Sequence, residues 1–436
     1  MRRDAAAARP RGYRRYLSPV STGARAAALL ALLAPAVACA TAGYFQLGHG
    51  LKAKGAGGAG AALPQDALAA AANPAGMVWV GNRVDLGLEW FRAEQRSRIS
   101  GNAMGLDGDR DAGSRGFLVP ELGYNRMLGD GQSFGVAVFG NGGATRYAEN
   151  PLAALAGSSS PAGLEFIQGT VAPTYAAKLG ANHSLGVSLN LVYQEFEANG
   201  FEHFDNTSFS VAPGFVTNRG KDASWGLGWR AGWLGRFSPG VSLAFAYQPR
   251  TRMSRFERYK GLLADGGSFD VPEHYVAGAA LKPAASVTLL GDVQRINYAN
   301  VRALGNRAGC FLNTSCLMGT PQGPGAGWRN TTVYKLGLAL EAAPRLTLRA
   351  GYAWLKQPIP PGETLLNVFA PAVSERHATL GATWQATPAL ELTLSFTLSP
   401  ESRVQGRGSI SGGVGGGEAD LRMTQRAFGL GLGWKL

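Results

Sequence analysis

The feature that most constrains this chain is a two-residue alternation of apolar with small or polar side chains, repeated in segment after segment. In ELTLSFTLS, Leu392, Leu394, Phe396 and Leu398 take one face, and Glu391, Thr393, Ser395, Thr397 and Ser399 take the other. YKLGLALEA sets Tyr334, Leu336, Leu338 and Leu340 against Lys335, Gly337, Ala339 and Glu341. VSLAFAYQ sets Val241, Leu243, Phe245 and Tyr247 against Ser242, Ala244, Ala246 and Gln248. The last residues do the same, with Phe428, Leu430, Leu432, Trp434 and Leu436 opposed to Gly429, Gly431, Gly433 and Lys435. Successive side chains of a strand point to opposite faces, so each segment has one oily face.

A soluble sandwich would share this pattern, and the connections separate the two. Candidate strands cover 83–93, 116–127, 132–141, 164–178, 183–198, 222–237, 240–256, 270–283, 285–300, 328–343, 345–356, 374–387, 389–402 and 422–436. Short links such as LGDG, LGANH, SPG, AAPR and ATPA alternate with long ones at 94–115, 142–163, 199–221, 257–269, 301–327, 357–373 and 403–421. Short turns on one side and long loops on the other are the signature of an outer-membrane barrel. An all-β, fourteen-stranded antiparallel transmembrane β-barrel is therefore expected over 83–436. Lipid offers the backbone no hydrogen-bond partners, which requires the sheet to close. Lys335 or Arg349 facing lipid near mid-membrane would cost about 2–4 kcal/mol. The alternation turns both inward, with Asp85, Glu89, Glu121, Asp292, Glu341 and Glu391 on the same parity. Trp90, Trp225, Trp229, Trp233, Tyr352, Trp354, Trp384 and Trp434 fall near strand ends, as interfacial girdles do.

Composition agrees. A mean hydropathy of −0.04 and the lack of a run of roughly 20 apolar residues after residue 40 argue against a helical membrane bundle. Residues 1–40 carry seven arginines and one aspartate, hence +6 of the net +13. The remaining basic residues are scattered, without the clustered face that phosphate tracking along nucleic acid needs. Arg2 through Arg25 precede an apolar stretch, AAALLALLAPAVACA, that ends in Ala38-Cys39-Ala40. Residues 1–40 thus read as a signal peptide with the mature chain beginning at Thr41. A lipidated Cys39 is the alternative. Cys310 and Cys316 would then close a small loop as a disulfide in an oxidising compartment, with two free thiols as the other possibility. No histidine or second CxxC lies nearby, so no metal is expected there, and nothing in the sequence asks for a cofactor.

Residues 41–82 do not alternate. They are rich in Gly and Ala, with a short helix candidate in QDALAAAA and a turn at Asn73-Pro74. A compact, unpaired segment ahead of a barrel fits inside the lumen as a plug, or alternatively forms a periplasmic linker.

The segment GLKAKGAGGAGAALPQDALAAAANPAGM, with its triplet Asn73, Pro74 and Ala75, resembles the hatch of the FadL-type outer-membrane transporters of long-chain fatty acids and aromatic hydrocarbons. PELGYNRM at 120–127, FGNGG at 139–143, VAPTYAAKLG at 171–180, VYKLGLALEAAPRLTLRAGYAW at 333–354 and QPIP followed by ETLLNVFAPAV extend the resemblance along the chain. It implies a fourteen-stranded barrel blocked by an N-terminal hatch over 41–82. It implies passive uptake of hydrophobic compounds, most simply long-chain fatty acids, by hatch movement and sideways release. The alternative substrate is an aromatic hydrocarbon.

On that reading Asn73, Pro74 and Ala75 shape the hatch, and Tyr44, Phe45 and Leu47 reach the ligand or, alternatively, only pack the plug. Phe139, Asn141, Gly142 and Gly143 edge the lateral opening, since adjacent glycines favour a break in pairing. Alternatively, these glycines simply begin an outer loop. Arg250 and Arg252, with Arg255, Arg258 and Lys260, would attract a carboxylate or lipopolysaccharide phosphates. Residues 151–168, which open on PLAALAG, would offer an oily capture loop; the alternative is that this patch is buried against its neighbours. The expected partners are a hydrophobic small molecule, lipopolysaccharide and outer-membrane lipid, and the barrel assembly machinery. No nucleic acid is expected, and the chain is expected to be a monomer. A water-filled porin and an outer-membrane lipid hydrolase using His377 are the rival readings; no G-x-S-x-G elbow accompanies that histidine. Leu436 departs from the terminal aromatic residue usual in such barrels.

Overall fold

The computed structural model describes residues 42–436 apart from 114, 156, 313 and 314. The signal peptide expected over 1–40, with Cys39 and the expected mature start at Thr41, lies outside the described residues. The chain forms β1 (Arg83–Ser100), β2 (Gly108–Asp111), β3 (Arg115–Gly129), β4 (Gln132–Ala144) and β5 (Gly163–Leu179). It continues with β6 (His183–Asn199), β7 (Asp222–Ser238), β8 (Val241–Gln248), β9 (His274–Ala284) and β10 (Val287–Ile296). The last five are β11 (Thr331–Ala343), β12 (Leu346–Leu355), β13 (Arg376–Gln385), β14 (Leu390–Val404) and β15 (Glu418–Lys435). Each long strand pairs with the next, and β15 pairs with β1 from Arg83↔Lys435 to Ser100↔Glu418, which closes the ring. Setting aside the four-residue β2, a hairpin extension of β1, the barrel has fourteen strands. All the ladders between the named strands are antiparallel, and ring closure gives the spanning backbone its hydrogen-bond partners along most of the wall.

The two faces separate as the alternation predicts. Leu86, Leu88, Leu430 and Leu432 are each about half exposed on the outside, whereas Asp85, Glu89, Glu121, Asp292 and Glu391 are buried inside, with Lys335 and Arg349. An exposed apolar belt of this extent is sustainable only in lipid. Trp90, Trp354, Trp384 and Trp434 stand exposed at its edges, and Tyr334 stacks on Trp354 at 5.2 Å.

Three expectations need correction. The strand expected over 240–256 ends at Gln248, because Pro249 cannot donate to a ladder. Residues beyond it turn inward over β7, where Thr251 bridges Val271 and Met253 bridges Gly226. Glu341 shares the inward parity but lies past the rim, exposed and paired with Lys282 at 3.3 Å. Leu152 and Leu155 of the oily loop are buried rather than presented to solvent.

The long connections interlock at one end. Thr145 Oγ1 donates to the Phe369 carbonyl at 2.6 Å, Tyr147 to the Val368 carbonyl at 2.9 Å, and Trp328 Nε1 to Asn367 Oδ1 at 2.7 Å. Cys310 and Cys316 form a disulfide within this cap.

Candidate functional site

The ladder between β3 and β4 is the weak point of the wall. It runs from Gly129↔Gln132 only as far as Leu122↔Val138. Above that, β3 stays paired with β1 up to Arg115↔Ala93, and β4 stays paired with β5 up to Ala144↔Glu165. The facing edges, Arg115–Glu121 and Phe139–Ala144, are not paired with each other. The sequence explains both. Pro120 offers no N–H, and Gly142 takes a φ of 151° that side chains rarely adopt.

Residues 44–46 lie against the β4 edge. Gly142 N donates to the Tyr44 carbonyl at 3.2 Å. Gln46 N donates to Asn141 Oδ1 at 3.0 Å, and Gln46 Nε2 donates to the Gly140 carbonyl at 2.7 Å. Tyr44 packs its ring against Phe45, Phe166, Phe269 and Tyr298. Its hydroxyl is buried without a hydrogen-bond partner among the described residues. Burial holds that hydroxyl's pKa well above its ordinary value, with Tyr298 and Asp270 adding to the effect.

This segment separates two cavities. The upper one, about 210 Å³, borders the open seam through Phe117, Gly142, Gly143 and Ala144. Phe91, Phe166, Phe196, Phe201, Phe269, Trp328 and Phe369 line most of the rest, with no charged side chain among the described lining residues. The lower one, about 50 Å³, carries polar and charged groups beside apolar ones: Phe45 and Leu47 share it with His49, Asn141, Arg230, Asp292 and Lys335. Arg230 donates to the Ala70 carbonyl at 3.3 Å and to the Ala71 carbonyl, and its other amino group meets Gln248 Oε1 at 2.8 Å. Lys335 Nζ donates to Gln294 Oε1 at 2.8 Å. Asp292, opposite Lys335 in the ladder, instead accepts from Gly60 N at 2.9 Å and Ala61 N at 3.1 Å. Neither cation forms an ion pair with a carboxylate among the described residues.

Below, residues 48–82 are tied to inward side chains around the ring. Lys52 pairs with Glu391 at 2.5 Å, and Lys54 pairs with Glu121 at 3.0 Å and Glu89 at 3.2 Å. Ala67 N donates to Asp85, Gly57 N to Thr379 Oγ1, and Trp79 Nε1 to Ser184 Oγ. Burial lowers the His49 pKa against the opposing pull of Glu121. Burial also pushes the Asp66 carboxyl up to about 6, with the charge of Asp85 adding to it. These ties place buried charges where each has a counter-charge or a donor, which is the condition for their tolerance.

Asn73, Pro74 and Ala75 meet glycines of the wall. A Cβ on Gly232 would lie 2.0 Å from Asn73 Oδ1, and one on Gly186 would lie 2.3 Å from the Pro74 carbonyl carbon. Asn73 caps Ala75 N at 3.1 Å and donates to the Ala61 carbonyl at 3.1 Å and the Trp233 carbonyl at 3.0 Å. Asn73→Ala should therefore loosen the segment locally by about 2 kcal/mol or more, since two buried carbonyls lose their donor. Hydrogen exchange of residues 60–80 checks this; protection equal to the wild type would contradict it.

Tyr44, Phe45, Leu47, Phe139, Asn141, Gly142 and Gly143 thus lie together. Arg250 and Arg252 do not. Both are exposed and line neither cavity, and Arg250 reaches Asp270 at 3.6 Å and the Asn300 carbonyl at 3.2 Å. His377 is fully buried in the wall of β13 and also lines neither cavity. The sequence reading missed Gln46, Arg230 and the receiving glycines. A glycine on the inward parity of a strand is the signal of close backbone approach.

The family described as outer membrane protein transport protein (OMPP1/FadL/TodX) matches residues 32–435. No curated protein matches the sequence. Among solved structures, a Pseudomonas aeruginosa FadL homologue has a TM-score of 0.68 at 16% identity, covering 90% of this chain and 100% of that one. The P. putida toluene transporter TodX has a TM-score of 0.65 at 17% identity, covering 89% and 99%. The Ralstonia pickettii toluene transporter TbuX has 0.61 at 14%, covering 89% and 99%. At these identities the likeness is one of fold. With a closed fourteen-stranded barrel and a family match across nearly its whole length, the chain belongs to the FadL/TodX family of outer-membrane transport proteins.

Proposed function

We propose that this chain passes an apolar molecule with a carboxylate head, of the long-chain fatty acid type, from the outer cap to the side of the barrel. The observation that carries the route is the unpaired edge between β3 and β4, bordered by an apolar cavity and covered by the segment around Tyr44. A chain entering that cavity gains about 0.8 kcal/mol for each CH₂ it removes from water. The N-terminal segment sits between cavity and lumen as a movable plug; its shift joins the two cavities and frees the seam.

The lower cavity supports the head group. Lys335 and Arg230 are buried cations whose direct hydrogen bonds go to amides, carbonyls and a histidine, with Asp292 beside Lys335 engaged by Gly60 N and Ala61 N, a setting in which a carboxylate is a favourable partner. Lys335→Met tests this without removing the Arg230 contact to the plug. The affinity for oleate should fall by about tenfold or more, the worth of one charge-assisted hydrogen bond. Toluene uptake into the same liposomes should not change. An equal effect on both would remove the head-group reading, and oleate entry no faster than in protein-free vesicles would remove the transport reading. A neutral aromatic hydrocarbon is the second reading, favoured by the uncharged lining of the upper cavity.

A further inference from the structure

The outward face of the closing seam carries a charge pattern that neither cavity uses. On β1, β14 and β15 the outward residues are apolar up to Trp90, Leu398 and Phe428. The next outward residues on β1 and β15 are Arg92 and Arg426, which the ladder sets directly opposite each other. Four residues further along β1, Arg96 faces Arg422, and Arg422 in turn faces Arg403 on β14. Like charges in direct opposition destabilise a sheet unless something neutralises them.

The protein's own acids do so weakly. Arg92 reaches Glu94 at 3.5 Å, Arg96 reaches Asp111 at 3.4 Å, Arg403 reaches Glu401 at 3.6 Å, and Arg422 reaches Asp109 at 3.1 Å. These pairs are largely solvent-exposed and contribute little. Arg426 is exposed and has no ion pair among the described residues. Beside Arg403 a concave surface of about 430 Å³ opens, lined among others by Gln357, Pro361, Arg403, Gln405 and Arg407.

We propose that this face binds the phosphorylated head of an outer-leaflet glycolipid of the lipid A type. Three features select that occupant over a free anion. The guanidiniums begin one outward position above the apolar belt, at the height where lipid phosphates meet the membrane edge. All five are arginines, whose planar fork matches phosphate. Directly beneath lie Trp90, Leu398 and Phe428, on which acyl chains can rest while the head is held. The bound lipid neutralises the Arg92–Arg426 and Arg96–Arg422 oppositions and so braces the seam where the first and last strands meet.

The test uses the full barrel in lipid-free detergent and measures its binding to bisphosphorylated lipid A, dephosphorylated lipid A, phosphatidylglycerol and inorganic phosphate. The bisphosphorylated lipid should bind best, and Arg92→Gln with Arg426→Gln should weaken it by about tenfold. Oleate uptake by the variant should equal the wild type, since neither residue lines a cavity. Equal affinity for the phosphorylated and dephosphorylated lipids would overturn the proposal, as would an unchanged affinity in the variant. Inorganic phosphate or phosphatidylglycerol binding as tightly as bisphosphorylated lipid A would assign the patch to free anions or to any acidic surface, and would also overturn it. Should the double variant fail to fold, Arg426→Gln alone carries the test. Without lipid it should be at least as heat-stable as the wild type, whereas a residue serving only the fold would lower stability.

Discussion

Replacing Gly143 by tryptophan is expected to slow oleate transfer by about five- to 150-fold while the barrel stays folded. Gly143 lies on the β4 edge that lacks a β3 partner, and it lines the apolar cavity beside that edge. A Cβ built there meets no atom within 4 Å, and its φ lies outside the range that side chains avoid. An indole can therefore enter without displacing the wall. Once in place it occupies the passage, and a ligand forced past it pays an overpacking penalty of about 1–3 kcal/mol, which is the source of the expected factor. Gly143→Ala adds one methyl to the same open space and should transport as the wild type does. The measurement is the rate at which labelled oleate crosses into liposomes, alongside the amount bound to detergent-solubilised barrel at equilibrium. Wild-type rates in the tryptophan variant would rule out the β3–β4 seam as the way out.

The legibility of this molecule follows from what alternation encodes. A period of two reports which face meets lipid, so the fourteen strands and the inward charges Asp85, Glu89, Lys335 and Arg349 could be read without coordinates. It does not report where a strand stops. The expectation overruns Val241–Gln248 because alternation continues through Thr251 and Met253, and only Pro249 marks the end. The same overrun put Arg250 and Arg252 on a strand end, when the chain there has already turned over β7. Glu341 shows the converse limit: parity gives a face, and depth along the barrel decides whether that face is lumen or solvent. The β4 edge was legible from its glycines, but its partnership with Gln46 depends on contacts about 95 residues apart in sequence, which no local pattern carries. The counter-charges that hold Lys52 and Lys54 are likewise a product of ring closure, since Glu391 meets Lys52 only when the last strands return to the first.

The second large effect concerns the glycine patch that receives the turn at Gly55–Gly58. Gly337, Gly351 and Gly381 face this turn from β11, β12 and β13. A Cβ on Gly351 would lie 1.9 Å from Gly57 N and 2.3 Å from the Ala56 carbonyl carbon, and one on Gly337 would lie 2.5 Å from the Ala56 oxygen. These are contacts with backbone, which cannot swing aside as a side-chain end can. Gly57 and Gly58 already use φ values of 71° and 76°, so the turn has little freedom to refold in place. Gly351→Leu should push it off the wall and break the Gly57–Thr379 hydrogen bond, and with it the neighbouring Gly60 and Ala61 bonds to Asp292. At an overpacking penalty of about 1–3 kcal/mol, the displaced state gains about five- to 150-fold in population. In planar bilayers the wild type should be nearly closed to ions, and the variant should show frequent open steps. Gly291→Ala on the outward side of β10 is the control for adding carbon to a wall glycine away from the turn, because its Cβ finds only Leu336 at 3.8 Å and the Lys335 oxygen at 4.0 Å. Ladder register is untouched in both variants, and Gly291→Ala adds a single methyl to the outward face, so both should keep the heat-dependent mobility of a folded barrel. A Gly351→Leu barrel as closed as the wild type would mean that the turn does not hold the plug. Large open steps from the wild type would mean that there is no effective plug, and the chain would then act as a water-filled pore.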